Sequence, residues 1–246
     1  LISVVASYAQ ELTILHVNDT HSHIDPQRSG KYAGRGGVIE LAVYIDSVRA
    51  AEGRRNVLLL HAGDFGQGTS YFKQMNGDIE IDVMNAHGFD VVCLGNHEFD
   101  NGVDELARRL ADLDADVVCS NYDFSSSALE KHVNPYVIVR RAGLKIGIFG
   151  LLTDISKVVE KSIADAFEYQ DPAEVANRYA AFLRDEKKCD MVICLSHLGY
   201  EEDKELASAV RNMDLIVGGH THTLLHKKQI VKDPDGKDVI VVQNWK

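Results

Sequence analysis

The sequence predicts an α/β protein built on a mainly parallel sheet, and three observations predict it. Short β-branched apolar runs alternate with helix-length segments, the pattern of strand–helix–strand units. Most of those runs are continuously apolar rather than alternating, which suits strands covered on both faces. The runs end in Asp, Asn or His, often beside Gly, and open α/β sheets bind ligands at the carboxyl ends of their strands.

Taken in order, residues 12–17 read as the first strand and 38–51 as the first helix. Strand 57–61, helix 79–87, strand 91–94, helix 103–113 and strand 117–120 continue the alternation. Residues 136–140 and 145–150, joined by Arg141-Ala142-Gly143-Leu144, read as a hairpin. Its antiparallel pairing predicts a second, mixed sheet. Helix 172–186 starts with Asp171 placed to cap it and Pro172 at the first helical position, where the missing N–H has no partner to lose. Strand 191–196, helix 202–211 and strand 215–218 follow. Asp233-Pro234-Asp235-Gly236-Lys237 is a second hairpin turn, leading into a last strand at 239–242. The acidic run Glu201-Glu202-Asp203-Lys204-Glu205 reads as a solvated helix N-terminus favoured by the dipole.

The chain has 246 residues with no linker-like composition shift, so one large domain is expected. Its formal net charge of −11 disfavours nucleic acid polymers and anionic membrane surfaces as partners. Binding a phosphate would then need cations other than the chain's own side chains. No apolar run reaches the roughly 18 residues of a membrane span. Residues 1–9, L-I-S-V-V-A-S-Y-A, read as the remnant of a secretory leader with small residues at Ser7 and Ala9, which predicts an exported protein, periplasmic or extracellular. The four cysteines, Cys93, Cys119, Cys189 and Cys194, form no C-x-x-C pair and read as buried free thiols. Asn18-Asp19-Thr20 matches a glycosylation motif, but Asp19 has a better use.

The chemistry-bearing residues follow five strands: Asn18-Asp19-Thr20-His21, Gly63-Asp64, Gly95-Asn96-His97-Glu98-Phe99-Asp100, Ser196-His197 and Gly219-His220-Thr221-His222. Asp19 and His21 stand two apart, so an extended segment points both to one side, and His220 and His222 repeat the spacing. Mixed nitrogen and oxygen donors without thiolate suit Zn, Mn, Fe or Co. Asp19, His21, Asp64, Asn96, His197, His220 and His222 are too many for one tetrahedral ion. They suit two divalent ions sharing the two oxygens of Asp64, each with a position open to water or substrate. His97-Glu98 lacks the second histidine of a zincin helix, and neither a phosphate-binding P-loop nor a G-x-S-x-G elbow occurs.

These motifs together resemble the calcineurin-like metallophosphoesterases, and Leu15-His-Val-Asn-Asp-Thr-His21 with Gly95-Asn-His-Glu-Phe-Asp100 resembles the N-terminal catalytic domain of the 5'-nucleotidase family. The resemblance implies a four-layer αββα sandwich of two mixed sheets over residues 10–246. It implies one metal on Asp19, His21, Asp64 and His222, and the other on Asp64, Asn96, His197 and His220. Position 222 varies between family members. It implies a His97–Asp100 dyad in which Asp100 orients and charges the imidazole, and His97 stabilises the phosphoryl group and assists the leaving oxygen. The implied function is hydrolysis of small-molecule phosphate monoesters, most simply 5'-nucleotides, by a metal-activated water. Relatives of the same scaffold acting on 2',3'-cyclic nucleotides, nucleotide sugars or thiosulfate esters are the rivals, and a non-catalytic metal-binding interaction module is the rival of a different class. Members of the 5'-nucleotidase family carry a C-terminal specificity domain, which this sequence does not include. Such a domain, as a continuation or a separate chain, is the expected partner.

Several polar residues are set aside. His23 is a candidate neighbour of the ligands, and Asn121 a weaker one. His16, His61, His87, His132 and His226 read as structural or surface residues, and Gly34-Arg35-Gly36-Gly37 as a loop before a helix rather than an anion site.

Overall fold

A computed structural model describes residues 11–245. The leader-like stretch 1–9 lies outside the described residues. Two sheets lie face to face, and helices cover their outer faces. The first sheet has the order β1 (Thr13–Val17), β2 (Val57–His61), β3 (Val91–Cys93), β4 (Asp116–Val118), β5 (Val133–Asn134), and every neighbouring pair is parallel. The second runs β10 (Gln229–Lys232), β11 (Asp238–Gln243), β9 (Leu215–Gly218), β8 (Met191–His197), β7 (Leu144–Leu152), β6 (Tyr136–Arg141). Its antiparallel pairs are the two expected hairpins, β6–β7 and β10–β11, and the remainder is parallel. The αββα sandwich is as expected, with strand mixing confined to the second sheet.

Three apolar layers hold these four together. Between the sheets, Leu58, Leu60, Ala62, Val91, Cys93 and Val118 of the first meet Ile146, Ile148, Ile193, Leu195, Leu215 and Val217 of the second. Burying each of the larger side chains contributes roughly 1.5–3 kcal/mol. Outside the first sheet, α1 (Val38–Glu52), α3 (Asp78–His87) and α4 (Val103–Leu110) supply Ile45, Ile81, Met84, Leu106 and Leu110 to a second layer. Outside the second sheet, α6 (Pro172–Ala181) and α7 (Tyr200–Ala209) do the same with Val175, Ala176, Ala180, Leu206 and Ala207. The period of two decides the side: along β8, Ile193 and Leu195 enter the seam between sheets, while Val192 and Cys194 face the helices. Continuing that alternation sends Ser196 toward α7 and His197 into the seam.

Helix α6 begins as expected, with the Asp171 side chain accepting from Glu174 N–H and Pro172 in the first turn. The expected single helix over 172–186 changes pitch, since Phe182–Glu186 is wound as a π turn. The pattern did not reveal the short helices α2 (Ser70–Met75), capped by Thr69, and α5 (Lys161–Ala164), nor the two-residue strand β5. All four cysteines are free and buried. Burial pushes the Cys119 thiol up to about 12, so it is no nucleophile at neutral pH. One expectation is corrected: Asp203 is 0% exposed, not solvated. It sits on the inner face of α7, where it accepts a hydrogen bond from the Ser196 hydroxyl.

Close sheet contact makes a glycine necessary at one position. A Cβ on Gly150 would lie 2.4 Å from the Val118 carbonyl oxygen and 2.7 Å from its carbon, both backbone atoms of the facing sheet. Gly150→Ala therefore has to push the sheets apart. The expected loss is about 1–3 kcal/mol, to be read as a lower denaturation midpoint in urea.

Candidate metal centre

The five strand ends meet at one edge of the seam. The loop after β1 zips onto the loop after β2: Asp19 N–H donates to Gly63 O (2.9 Å), His21 N–H to Asp64 O (3.0 Å) and Ser22 N–H to Phe65 O (3.0 Å). The loop after β9 joins them, because His220 N–H donates to both carboxylate oxygens of Asp19, at 3.1 and 3.0 Å. The loop after β3 reaches across to Asp64, whose Oδ1 accepts from His97 N–H at 2.9 Å. Asn18 is 1% exposed and spends its amide on Asp19 and on the backbone of Asn244, so the glycosylation motif is closed off.

Six of the seven expected ligands, Asp19, His21, Asp64, His197, His220 and His222, converge here, but not as extended pairs. Asp19, His21, Asp64, His220 and His222 have φ of 51°, 44°, 57°, 75° and 51°. Each is in the left-handed region that non-glycine residues avoid, at a cost of order 1 kcal/mol or more apiece. Asp19 and His21 thus come together through tight left-handed turns, not through strand alternation, and His220 and His222 part to different groups.

Two groups result. Asp19, His21 and His222 form one, and Asp64, His197 and His220 the other, with the ligand atoms of each within 4.8 Å of one another. In the first, His21 Nε2 is 3.0 Å from His222 Nε2, and His222 Nε2 is 3.4 Å from Asp19 Oδ1. Ligands bonded at about 2.1 Å to one tetrahedral ion stand about 3.4 Å apart. Asp64 Oδ2 lies 3.0 Å from His197 Nε2 and 3.9 Å from His21 Nε2, so this carboxylate touches both groups. His197 Nδ1–H donates to Ala62 O at 2.7 Å, which turns Nε2 toward the carboxylates. That Nε2 approaches Asp64 without hydrogen-bond alignment, and Asn96 Oδ1 is buried with no hydrogen-bond partner. Crowded donor atoms that satisfy one another poorly are what two divalent cations would complete, so these residues fit the expected pair of ions. Chelating nitrogen and oxygen without sulfur leaves Zn, Mn, Fe and Co all compatible.

Electrostatics are consistent with a site short of positive charge. Every ion pair made by Asp19 and Asp64 among the described residues is with a histidine. Burial opposes the charge of Asp64, yet His197 beside it holds the carboxyl well below the usual range. Burial likewise opposes the charge of His197, but Asp64 and Asp19 push it up to about 10. Burial alone dominates at Asp19 and raises it.

At the rim, His97 Nδ1 meets Asp100 Oδ2 at 2.9 Å, and this hydrogen bond raises the His97 pKa. A carboxylate can only accept, so Nδ1 carries the proton and Nε2 is the nitrogen left for a ligand. The His97 and His21 rings stand 5.4 Å apart, which places the dyad against the first group.

The reading of the sequence passed over two supporting residues. His61 is buried and braces both loops: its Nδ1 accepts from Gly63 N–H at 3.1 Å, so Nε2–H donates to Thr20 Oγ1 at 3.0 Å. Glu98 is 0% exposed and accepts three backbone N–H bonds. Its place inside the Gly-Asn-His-Glu motif was the available signal. The set-aside residues resolve plainly. His23 is exposed, its Nδ1 lies 3.0 Å from Thr20 O, and it belongs to neither group. Asn121 pairs with the backbone of Leu152. In the glycine-rich loop, Gly36 N–H is taken by Glu40. A cavity of about 600 Å³ adjoins the first loop at Thr20 and Ser22, but none of the seven ligands lines it.

The sequence model of the calcineurin-like phosphoesterase family matches residues 12–224. A probable 5'-nucleotidase of Treponema pallidum is 35% identical over 257 residues, covering 96% of this chain and 43% of that protein. Among solved structures, a 5'-nucleotidase precursor from Thermus thermophilus superposes with a TM-score of 0.87 at 37% identity, covering 96% of this chain and 49% of that one. The NAD nucleotidase of Haemophilus influenzae gives 0.86 at 32%, covering 95% and 45%. The chain thus spans less than half the length of these relatives. Fold, motif order and the two ligand groups agree with one assignment: this chain belongs to the calcineurin-like phosphoesterase family.

Proposed function

We propose that this chain is the catalytic domain of a metal-dependent phosphoester hydrolase acting on 5'-nucleotides. The observation that carries the reading is the convergence of Asp19, His21 and His222 beside Asp64, His197 and His220, with Asp64 touching both groups. The substrate class rests on relatives named as 5'-nucleotidases at 32–36% identity. Export to the periplasm or exterior is part of the proposal. It is supported by the leader-like residues 1–9 and by similarity to snake venom 5'-nucleotidases. No helix among the described residues is long and apolar enough to cross a membrane. A further domain supplying base recognition is the proposed partner, in keeping with the longer relatives.

In this reading Asp64 would hold the two ions in common, with Asp19, His21 and His222 completing one site and Asn96, His197 and His220 the other. Bound divalent ions supply the positive charge and the polarised water that phosphoester hydrolysis needs. Asn96 would offer an ion its amide oxygen, which otherwise has no hydrogen-bond partner. Asp100 favours the cationic form of His97, whose Nε2–H can then donate to a phosphoryl oxygen. As the ester P–O bond breaks, the same proton is available to the departing alkoxide. The overall change is addition of water across that bond.

Three outcomes are expected. Purified protein hydrolyses AMP with added Mn or Zn and loses that activity with chelator. No turnover of AMP, UDP-sugars, 2',3'-cyclic AMP or aryl phosphates under any metal would remove the enzymatic reading. His97→Ala lowers kcat by about 10²–10⁴, measured with AMP at saturating metal, with a smaller loss for Asp100→Asn. In metal-free protein followed by NMR, the His97 ring titrates above the ordinary histidine value near 6.5. It stays cationic to higher pH, and Asp100→Asn brings the midpoint down. His16 and His61 remain neutral down to pH about 5, because burial pushes them down to about 4 and about 3.

A further inference from the structure

We infer that Glu98 is the positioning residue that sets Asp64 and Asn96 at metal-binding distance, by using its one carboxylate as the shared acceptor of the two loops that carry them. The inference rests on the metal-site reading above. Its basis is a set of contacts that the ligand motifs do not include. Glu98 Oε2 accepts from Asp64 N–H at 2.9 Å and from Gly95 N–H at 2.6 Å, while Oε1 accepts from Gly66 N–H at 3.0 Å. Two of these donors belong to the loop after β2, and one to the loop after β3. Both oxygens are thereby engaged by amides, in a side chain that is 0% exposed. Glu98 is therefore a brace and not an eighth ligand.

The brace acts where the backbone most needs one. Asp64 holds a left-handed φ of 57°, a conformation that persists only where its surroundings over-determine it. Glu98 takes its N–H, and His21 N–H donates to its carbonyl at 3.0 Å, so both peptide groups of the strained residue are tied. The loops are pressed together so closely that a Cβ on Gly95 would meet Asp64 Oδ1 at 2.2 Å and Asp64 N at 2.4 Å. Glu98 in turn is anchored from the helical side. Arg109 of α4, 1% exposed and stacked over Phe72, donates through Nη2 to the Glu98 carbonyl at 2.8 Å.

Glutamine cannot replace this carboxylate. It offers one acceptor oxygen and one NH₂ donor, so whichever way it turns, at least one of the three amides faces a donor. Aspartate keeps the charge but is one methylene too short to span both loops.

The test is calorimetric titration of Mn²⁺ into metal-free parent, Glu98→Gln, Glu98→Asp and Val175→Ala, with folding checked by circular dichroism. Val175 lies in the apolar layer under α6 and serves as a destabilised variant remote from the loops. The expected result is two ions bound by the parent and by Val175→Ala alike. At least one site should be weakened about 10–100-fold in both Glu98 variants. Parental affinity in a folded Glu98→Gln overturns the inference, and so does an equal loss in Val175→Ala. A parent that binds no Mn²⁺ overturns the metal-site reading itself, which separates the two failures. Should neither Glu98 variant fold, hydrogen exchange in the metal-free parent decides. The amides of Asp64, Gly66 and Gly95 are expected to exchange only on global opening, and rapid exchange of these three without metal defeats the inference.

Discussion

The centre of this protein depends on one buried carboxylate. Asp64 is 2% exposed, lies in a left-handed turn and sits where the two ligand groups touch. An isolated carboxylate in such a place would surrender its charge. Here the surroundings favour the anion: His197 stands 3.0 Å away and His97 N–H donates to it. The neighbouring loops have to be placed within tenths of an ångström for this to hold. Glycines at 63 and 95 follow from that requirement, because any side chain there would collide with Gly95 backbone and His197 in one case and with Asp64 in the other.

Packing delivers the ligands to that point. The apolar seam between the sheets aligns five strands so that their carboxyl ends open on the same edge. Alternation along β8 places His197 on the seam side, and its neighbour Ser196 hydrogen-bonds Asp203 beneath α7. A residue of the helical layer thus helps hold the end of a strand whose other face is chemical. Arg109 and Glu98 do the same for the first sheet. The strain in the loops is supported by the stability of layers that never contact a ligand.

The same architecture bears on how an acidic member of a phosphoesterase family would, as proposed, handle phosphate. A net charge of −11 and ion pairs made only with histidine leave the described site without a lysine or arginine partner for Asp19 or Asp64. Among the described residues the one fully buried arginine, Arg109, donates to the backbone carbonyls of Glu105 and Glu98. Positive charge has to arrive with the metals, about +4 for two divalent ions, and histidine is the residue that can serve as a neutral ligand once they do.

Much of this was legible in the order of residues. Short continuous apolar runs betray doubly covered strands, and polar residues at their ends betray a site, because both patterns are local and periodic. The proposed ligands Asp19, His21, Asp64, Asn96, His197, His220 and His222 could be named from motif spacing alone, and six of them fall into the two groups. What spacing does not carry is backbone conformation: left-handed turns bring Asp19 and His21 together and send His220 and His222 to different groups, which period-two reasoning cannot anticipate. Nor does it carry burial that depends on a distant partner. Asp203 in its acidic run looks solvated until Ser196 is brought beneath it, and Glu98 looks like one more charge until three amides from two loops close on it. The sequence by itself determined which residues are proposed to carry the chemistry and which strands bear them. Only the tertiary structure decided how those residues are aimed and braced, because the contacts that do so join segments tens of residues or more apart.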